Sequence, residues 1–121
     1  MSKLILVVED QEDNRRIMRD LLSSAGYEVI EAVTGEEGVA AADTHRPDLI
    51  LMDIQLPGLD GYEATRQIKA NPELEHIPII VVTSYALSGD DVKAFEAGCN
   101  AYVSKPFSPR ELLAKIREYV S

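Results

Sequence analysis

Short unbroken runs of apolar residues end repeatedly on a polar side chain. Residues 3–8 run into Glu9 and Asp10, residues 48–52 into Asp53, residues 77–82 into Thr83 and Ser84, and residues 101–104 into Lys105. A run without alternation is the pattern of a strand covered on both faces. A fifth strand is expected at 27–32, where Glu28 and Glu31 interrupt the apolar residues. Between the runs the apolar spacing is helical. Strands alternating with helices over short connections predict a parallel sheet wrapped on both faces, with right-handed crossovers.

The helical stretches carry their own punctuation. After the acidic segment Glu9-Asp10-Gln11-Glu12-Asp13-Asn14, a helix extends to about Ala25, with Ile17, Leu21, Met18 and Leu22 as its apolar stripe and Gly26 as its stop. Thr34 and Glu37 form a capping box that opens a small-residue helix through Val39 and Ala42, ended by Arg46-Pro47. Residues 62–70 are helical, with Thr65 and Ile68 at helical spacing from Gly61, and Asn71-Pro72 stops them. Ser88 caps a fourth helix with Val92 and Phe95 as its apolar face. Ser108-Pro109-Arg110-Glu111 starts the last, striped by Leu112, Leu113, Ile116, Tyr119 and Val120.

The 121 residues fit one domain, 1–121, with enough chain for a proper core. One cysteine, Cys99, excludes an internal disulfide and reads as a packing residue. The longest apolar runs are far too short to span a bilayer and the start lacks a secretory stretch, so the expected location is cytoplasmic, away from membranes. A formal net charge of −9 argues against direct nucleic acid binding.

In a sheet of this kind all strand ends of one sense share an edge. Glu9, Asp10, Asp53, Thr83 and Lys105 therefore meet there. In the flavodoxin-like order 2-1-3-4-5, strands one and three are neighbours where the winding reverses, which brings Glu9, Asp10 and Asp53 together. Any one of these residues alone is an ordinary cap or surface charge. Their joint arrival is not.

Clustered carboxylates repel, so one of them gains a raised pKa or a cation intervenes. Mg2+ takes one or two carboxylates and keeps room for a phosphate oxygen. Asp10 and Asp53 are the expected direct ligands, and Glu9 acts through water. A metal-anchored aspartate beside a lysine is a competent phosphoryl acceptor.

These residues, with Met52-Asp53-Ile54-Gln55-Leu56-Pro57-Gly58-Leu59-Asp60-Gly61 and Tyr102-Val103-Ser104-Lys105-Pro106-Phe107, give a chain that resembles the CheY-like response-regulator receiver family of two-component signalling over essentially its whole length. The length resembles the single-domain members, and the Met-Asp-Ile-Gln-Leu-Pro wording is more like that of the cell-division regulators.

The resemblance implies a phosphorylation site at Asp53. It implies a Mg2+ site made by Glu9, Asp10, Asp53 and the backbone carbonyl of Gln55. It implies Lys105 on the phosphoryl oxygen, a switch through Thr83 and Tyr102, and a cis Lys105-Pro106 bond. Gln55, Ser84 and Tyr85 then flank the phosphoryl group and bear on its lifetime. The implied donors are a sensor histidine kinase or a histidine phosphotransfer protein. The implied output is a downstream target protein met by the fourth helix, fifth strand and fifth helix of a monomer or weak dimer. No DNA-binding or enzymatic segment follows Ser121 in this sequence, so the signal is expected to leave by protein contact. The resemblance also implies a domain that catalyses only its own phosphorylation and dephosphorylation. His45 and His76 lie off the reactive edge.

Three other readings compete. A flavodoxin-type FMN binder needs a phosphate cradle where this chain has Glu9-Asp10-Gln11-Glu12-Asp13. A haloacid-dehalogenase-type phosphatase wants a second Asp where Gln55 stands. A phosphorylation-independent docking domain has no use for the intact acidic and basic set.

Overall fold

The computed structural model describes residues 2–83 and 90–120. Its elements run β1 (Leu4–Val8), α1 (Glu12–Ser24), β2 (Glu28–Ala32), α2 (Gly35–His45), β3 (Leu49–Met52), α3 (Gly61–Ala70), β4 (Ile79–Thr83), α4 (Asp90–Glu96), β5 (Ala101–Ser104) and α5 (Pro109–Arg117). All strand pairs are parallel, in the order β2-β1-β3-β4-β5. Fold class and strand order are those expected from the sequence.

The central strands are buried at every position, which is why their sequences do not alternate. Their side chains divide between two cores. Leu6, Val8, Ile50, Met52 and Val81 face α2, α3 and α4. Ile5, Val7, Leu49, Leu51 and Val82 face α1 and α5, against Met18, Leu22, Leu112 and Ile116. Fully burying one such side chain is worth about 1.5–3 kcal/mol.

Helix starts are fixed by side-chain caps. Thr34 Oγ1 accepts from the Glu37 amide at 3.0 Å, Asp60 Oδ1 from Glu63 at 2.9 Å and Ser108 Oγ from Glu111 at 3.0 Å. Each satisfies an amide that the first turn leaves open. The cap expected from Ser88 lies outside the described residues. Among those residues, no helix is long and apolar enough to cross a membrane.

Two helical stripes need correction. Ile17 is 61% exposed, while Met18 and Leu22 are the buried residues of α1. On α4, Val92 and Phe95 are 54% and 51% exposed, and Ala94 is what packs inward. A small residue fits the helix close against the sheet, and the larger pair is turned to the surface.

Candidate functional site

The register makes the site. Val8 pairs with Met52, and the Asp53 amide donates to the Val8 carbonyl at 3.0 Å. The residues that follow these strands, Glu9 and Asp53, therefore leave the sheet side by side. The Glu9 amide donates to Ala32 on β2 at 3.0 Å, so strand pairing persists up to the first carboxylate. Gly61 closes the far side. A Cβ there would lie 2.0 Å from the Asp53 carbonyl oxygen, so only glycine lets α3 begin this close behind Asp53.

One ligand oxygen from each of Glu9, Asp10 and Asp53 lies within 4.8 Å of the others. Lys105 enters from the end of β5. Its Nζ is 2.7 Å from Glu9 Oε1 and 3.9 Å from Asp53 Oδ2. The Lys105 backbone amide donates to the Thr83 carbonyl at 2.7 Å, which fixes the β5 end against the β4 end. Lys105-Pro106 is cis, as the resemblance implied. Asp10, Gln11, Asn14, Asp53, Gln55 and Lys105 line a cleft of about 390 Å³ over the cluster.

The three carboxylates are not equivalent. Asp53 is raised to about 6, mainly by burial and then by the Glu9 charge, with Lys105 opposing. Asp10 is also raised, by burial and by Glu9. Burial acts on Glu9 in the same sense, but the hydrogen bonds from Lys105 and from the Gln11 amide outweigh it, and Glu9 is lowered. Glu9 is thus the committed anion, and Asp53 holds the least settled charge. Three hard oxygen donors around a partly open cleft match the chemistry of a small divalent cation.

The other sequence-predicted residues lie as follows. Gln55 is exposed at the cleft rim, with its amide 3.4 Å from Asp53 Oδ1. Thr83 is fully buried at the end of β4. Tyr102 pairs with Val81, and strand alternation puts Thr83 and Tyr102 on the same face of the sheet, toward α4. Tyr102 also lines a concavity with Val103, Glu111, Ala114, Lys115 and Glu118, between β5 and α5. Ser84 and Tyr85 lie outside the described residues. His45 and His76 are exposed and away from the cluster, and Cys99 is buried.

Sequence reasoning missed Arg15. Its Nη1 donates to the backbone carbonyls of Glu9 at 3.0 Å and Asp10 at 3.1 Å, and its Nε lies 3.3 Å from Glu31 on β2. On α1 it looks like one of several solvated charges, and no spacing rule marks it out.

Residues 5–117 match the model of the response regulator receiver domain, and the chain belongs to that family. Among its relatives, it is 46% identical over 120 residues to the polar-differentiation response regulator DivK of Brucella anthropi, covering 99% of this chain and 98% of that one. The DivK of Brucella melitensis is 45% identical over the same span. The receiver domain of the sensor histidine kinase PA1611 from Pseudomonas aeruginosa, solved with a magnesium ion coordinated in its active-site cleft, superposes with a TM-score of 0.92 at 40% identity, over 98% of each chain. The chemotaxis protein CheY4 of Vibrio cholerae gives a TM-score of 0.92 at 27% identity, over 99% of this chain and 100% of that one.

Proposed function

We propose that this chain is a phosphorylation switch of a two-component phosphorelay, with Asp53 as the acceptor. The observation that carries the reading is the single cleft in which Asp53 faces two further carboxylates and one lysine. An oxygen of ionised Asp53 attacks the phosphorus of a phosphohistidine on a sensor kinase or phosphotransfer protein. The P–N bond breaks, the acyl phosphate forms on Asp53, and the departing imidazole takes a proton from solvent. With a carboxyl at about 6, Asp53 is mostly ionised at neutral pH and needs no general base.

Asp10 and Asp53 would hold Mg2+ directly, with Glu9 and the Gln55 carbonyl completing the protein's share. When bound, the ion supplies charge neutralisation for the phosphoryl oxygens. Lys105, paired with Glu9 in this structure, is within reach of the same oxygens. Thr83 donates its hydroxyl to the new group, and Tyr102, on the same face, follows it inward. The output surface is α4, β5 and α5, with Val92 and Phe95 exposed on α4 and the Tyr102 concavity between β5 and α5. Gln55, with Ser84 and Tyr85, sets access of water and hence the lifetime of the signal.

The test is incubation with Mg2+ and acetyl phosphate, read by intact mass. One added phosphoryl group, absent in Asp53→Asn, is the expected result. Sustained turnover of added phosphomonoesters would instead make the chain a phosphatase. Partner capture with wild type and Asp53→Asn then tests the output, since identical sets would remove any role for phosphorylation in it.

A further inference from the structure

Arg15 is an oddity on an acidic protein's reactive edge. A cation bound near a divalent-metal site repels the metal, so simple electrostatics gives no reason to put a guanidinium there. Its hydrogen bonds give one. Arg15 Nη1 binds the carbonyl oxygens of Glu9 and Asp10 together, at 3.0 and 3.1 Å, and no side chain of the acidic cluster. It grips the backbone that carries both carboxylates. Its own side chain is only 16% exposed, and Nε is held at 3.3 Å by Glu31 Oε1 from β2. The other oxygen of Glu31 takes Arg19 Nη1 at 2.9 Å. Glu31 thus faces two arginines, of which Arg15 reaches the site backbone.

We infer that Arg15 is a positioning residue for the cation site, a clamp anchored on β2 through Glu31 that fixes the peptide units bearing Glu9 and Asp10. This deepens the reading of the cleft as a Mg2+ and phosphoryl site and rests on it. The physical reason is that Asp10 stands just beyond the last strand hydrogen bond, the one from Glu9 to Ala32. Past that point the sheet no longer orients the backbone, and two donors to successive carbonyls take over. Groups that orient metal ligands typically change metal affinity by about 10–100-fold when removed.

The sign of the effect separates this role from a through-space one. Removing a nearby positive charge tightens cation binding, whereas removing the clamp loosens it. Mg2+ titration by calorimetry on the 121-residue wild-type chain, Arg15→Ala, Arg19→Ala and Asp53→Asn provides the test, with folding checked by circular dichroism. Arg15→Ala should bind Mg2+ roughly tenfold more weakly. Arg19→Ala, which removes the same charge and the same Glu31 partner type, should match wild type or bind slightly tighter.

A second measurement needs no metal. The backbone carbonyl 13C shifts of Glu9 and Asp10 in the metal-free protein should move in Arg15→Ala and stay in Arg19→Ala. If Arg15→Ala does not fold, Arg15→Lys and Glu31→Gln carry the test, each with a smaller weakening in the same direction. Unchanged or tighter Mg2+ binding in Arg15→Ala, with unmoved carbonyl shifts, overturns the clamp alone. Wild type that binds no Mg2+, or Asp53→Asn that binds it as well as wild type, overturns the site reading and the clamp with it.

Discussion

The two edges of the sheet use polar side chains in opposite ways. At the edge where the strands begin, Asp48, Asn100 and Lys69 satisfy backbone groups. Asp48 accepts from the Leu4 amide at 2.8 Å, Asn100 from the Ile79 amide at 2.9 Å, and Lys69 donates to the carbonyls of Glu75 and Ile77 at 3.0 and 2.7 Å. At the edge where the strands end, Glu9, Asp10 and Asp53 are aimed at one another across a cleft, with Lys105 among them. The first edge closes the fold. The second keeps like charges together, an arrangement that costs stability.

The largest expected effect is Lys105→Ala. Glu9 is 1% exposed, and losing its partner leaves a buried anion, a loss of about 3 kcal/mol in chemical denaturation. Lys69→Ala, at the other edge, should cost about 1–2 kcal/mol through its two lost hydrogen bonds. Equal losses would erase the contrast.

Next in size is Mg2+ itself. At a hundred times its Kd, the ion should stabilise wild type by about 2.7 kcal/mol at pH 7.5, read as a rise in Tm. That gain should shrink as pH falls through about 6 and Asp53 takes up a proton. A gain unaffected by Asp53→Asn would move the cation elsewhere.

Asp53→Asn without metal should go the other way from an ordinary core lesion. The folded carboxyl titrates at about 6, above its unfolded value. Below the unfolded value it is protonated in both states and costs nothing. Between the unfolded value and about 6 the folded state keeps a proton that the unfolded chain gives up, so stability falls with rising pH across that window and levels off above it. The amide should therefore stabilise the metal-free protein by about 1–2 kcal/mol at pH 7.5, after allowance for solvent screening, with the gain fading toward pH 4. Asp48→Ala should instead destabilise by about 1 kcal/mol, because it strips the Leu4 amide of its acceptor. A destabilised Asp53→Asn at pH 7.5 would break the contrast between the edges.

The smallest effects belong to the exposed apolar residues. Ile17→Ser and Phe95→Ser should each change stability by less than about 0.5 kcal/mol. Phe95→Ser should still weaken capture of the downstream target if α4 belongs to the output face.

What could be read from sequence follows from what has a local signature. A continuous apolar run announces a doubly covered strand, and the polar residue that ends it announces the edge, so Asp53, Thr83 and Lys105 were placed by counting. Caps at Thr34 and Ser108 were legible for the same reason. Ile17, Val92 and Phe95 were misplaced, because helical periodicity marks an apolar face without saying whether the protein covers it. Glu9 takes Lys105 as its partner. That pairing depends on a tertiary contact 96 residues away in sequence, which no spacing reveals. Arg15 escaped because its targets are backbone carbonyls, and these carry no sequence at all.

The pairing of Val8 with Met52 bears on which length changes the chain can tolerate. Side chains in a strand alternate between the two cores, so a single residue inserted within Leu49–Met52 would exchange the α1/α5 side for the α2/α3/α4 side and carry Asp53 past Glu9. An insertion at the exposed Pro57-Gly58 turn leaves that count intact. Length variation among natural and engineered versions of this domain should therefore gather in such turns, and the interval between the start of β3 and the acceptor should be the least elastic stretch of the chain.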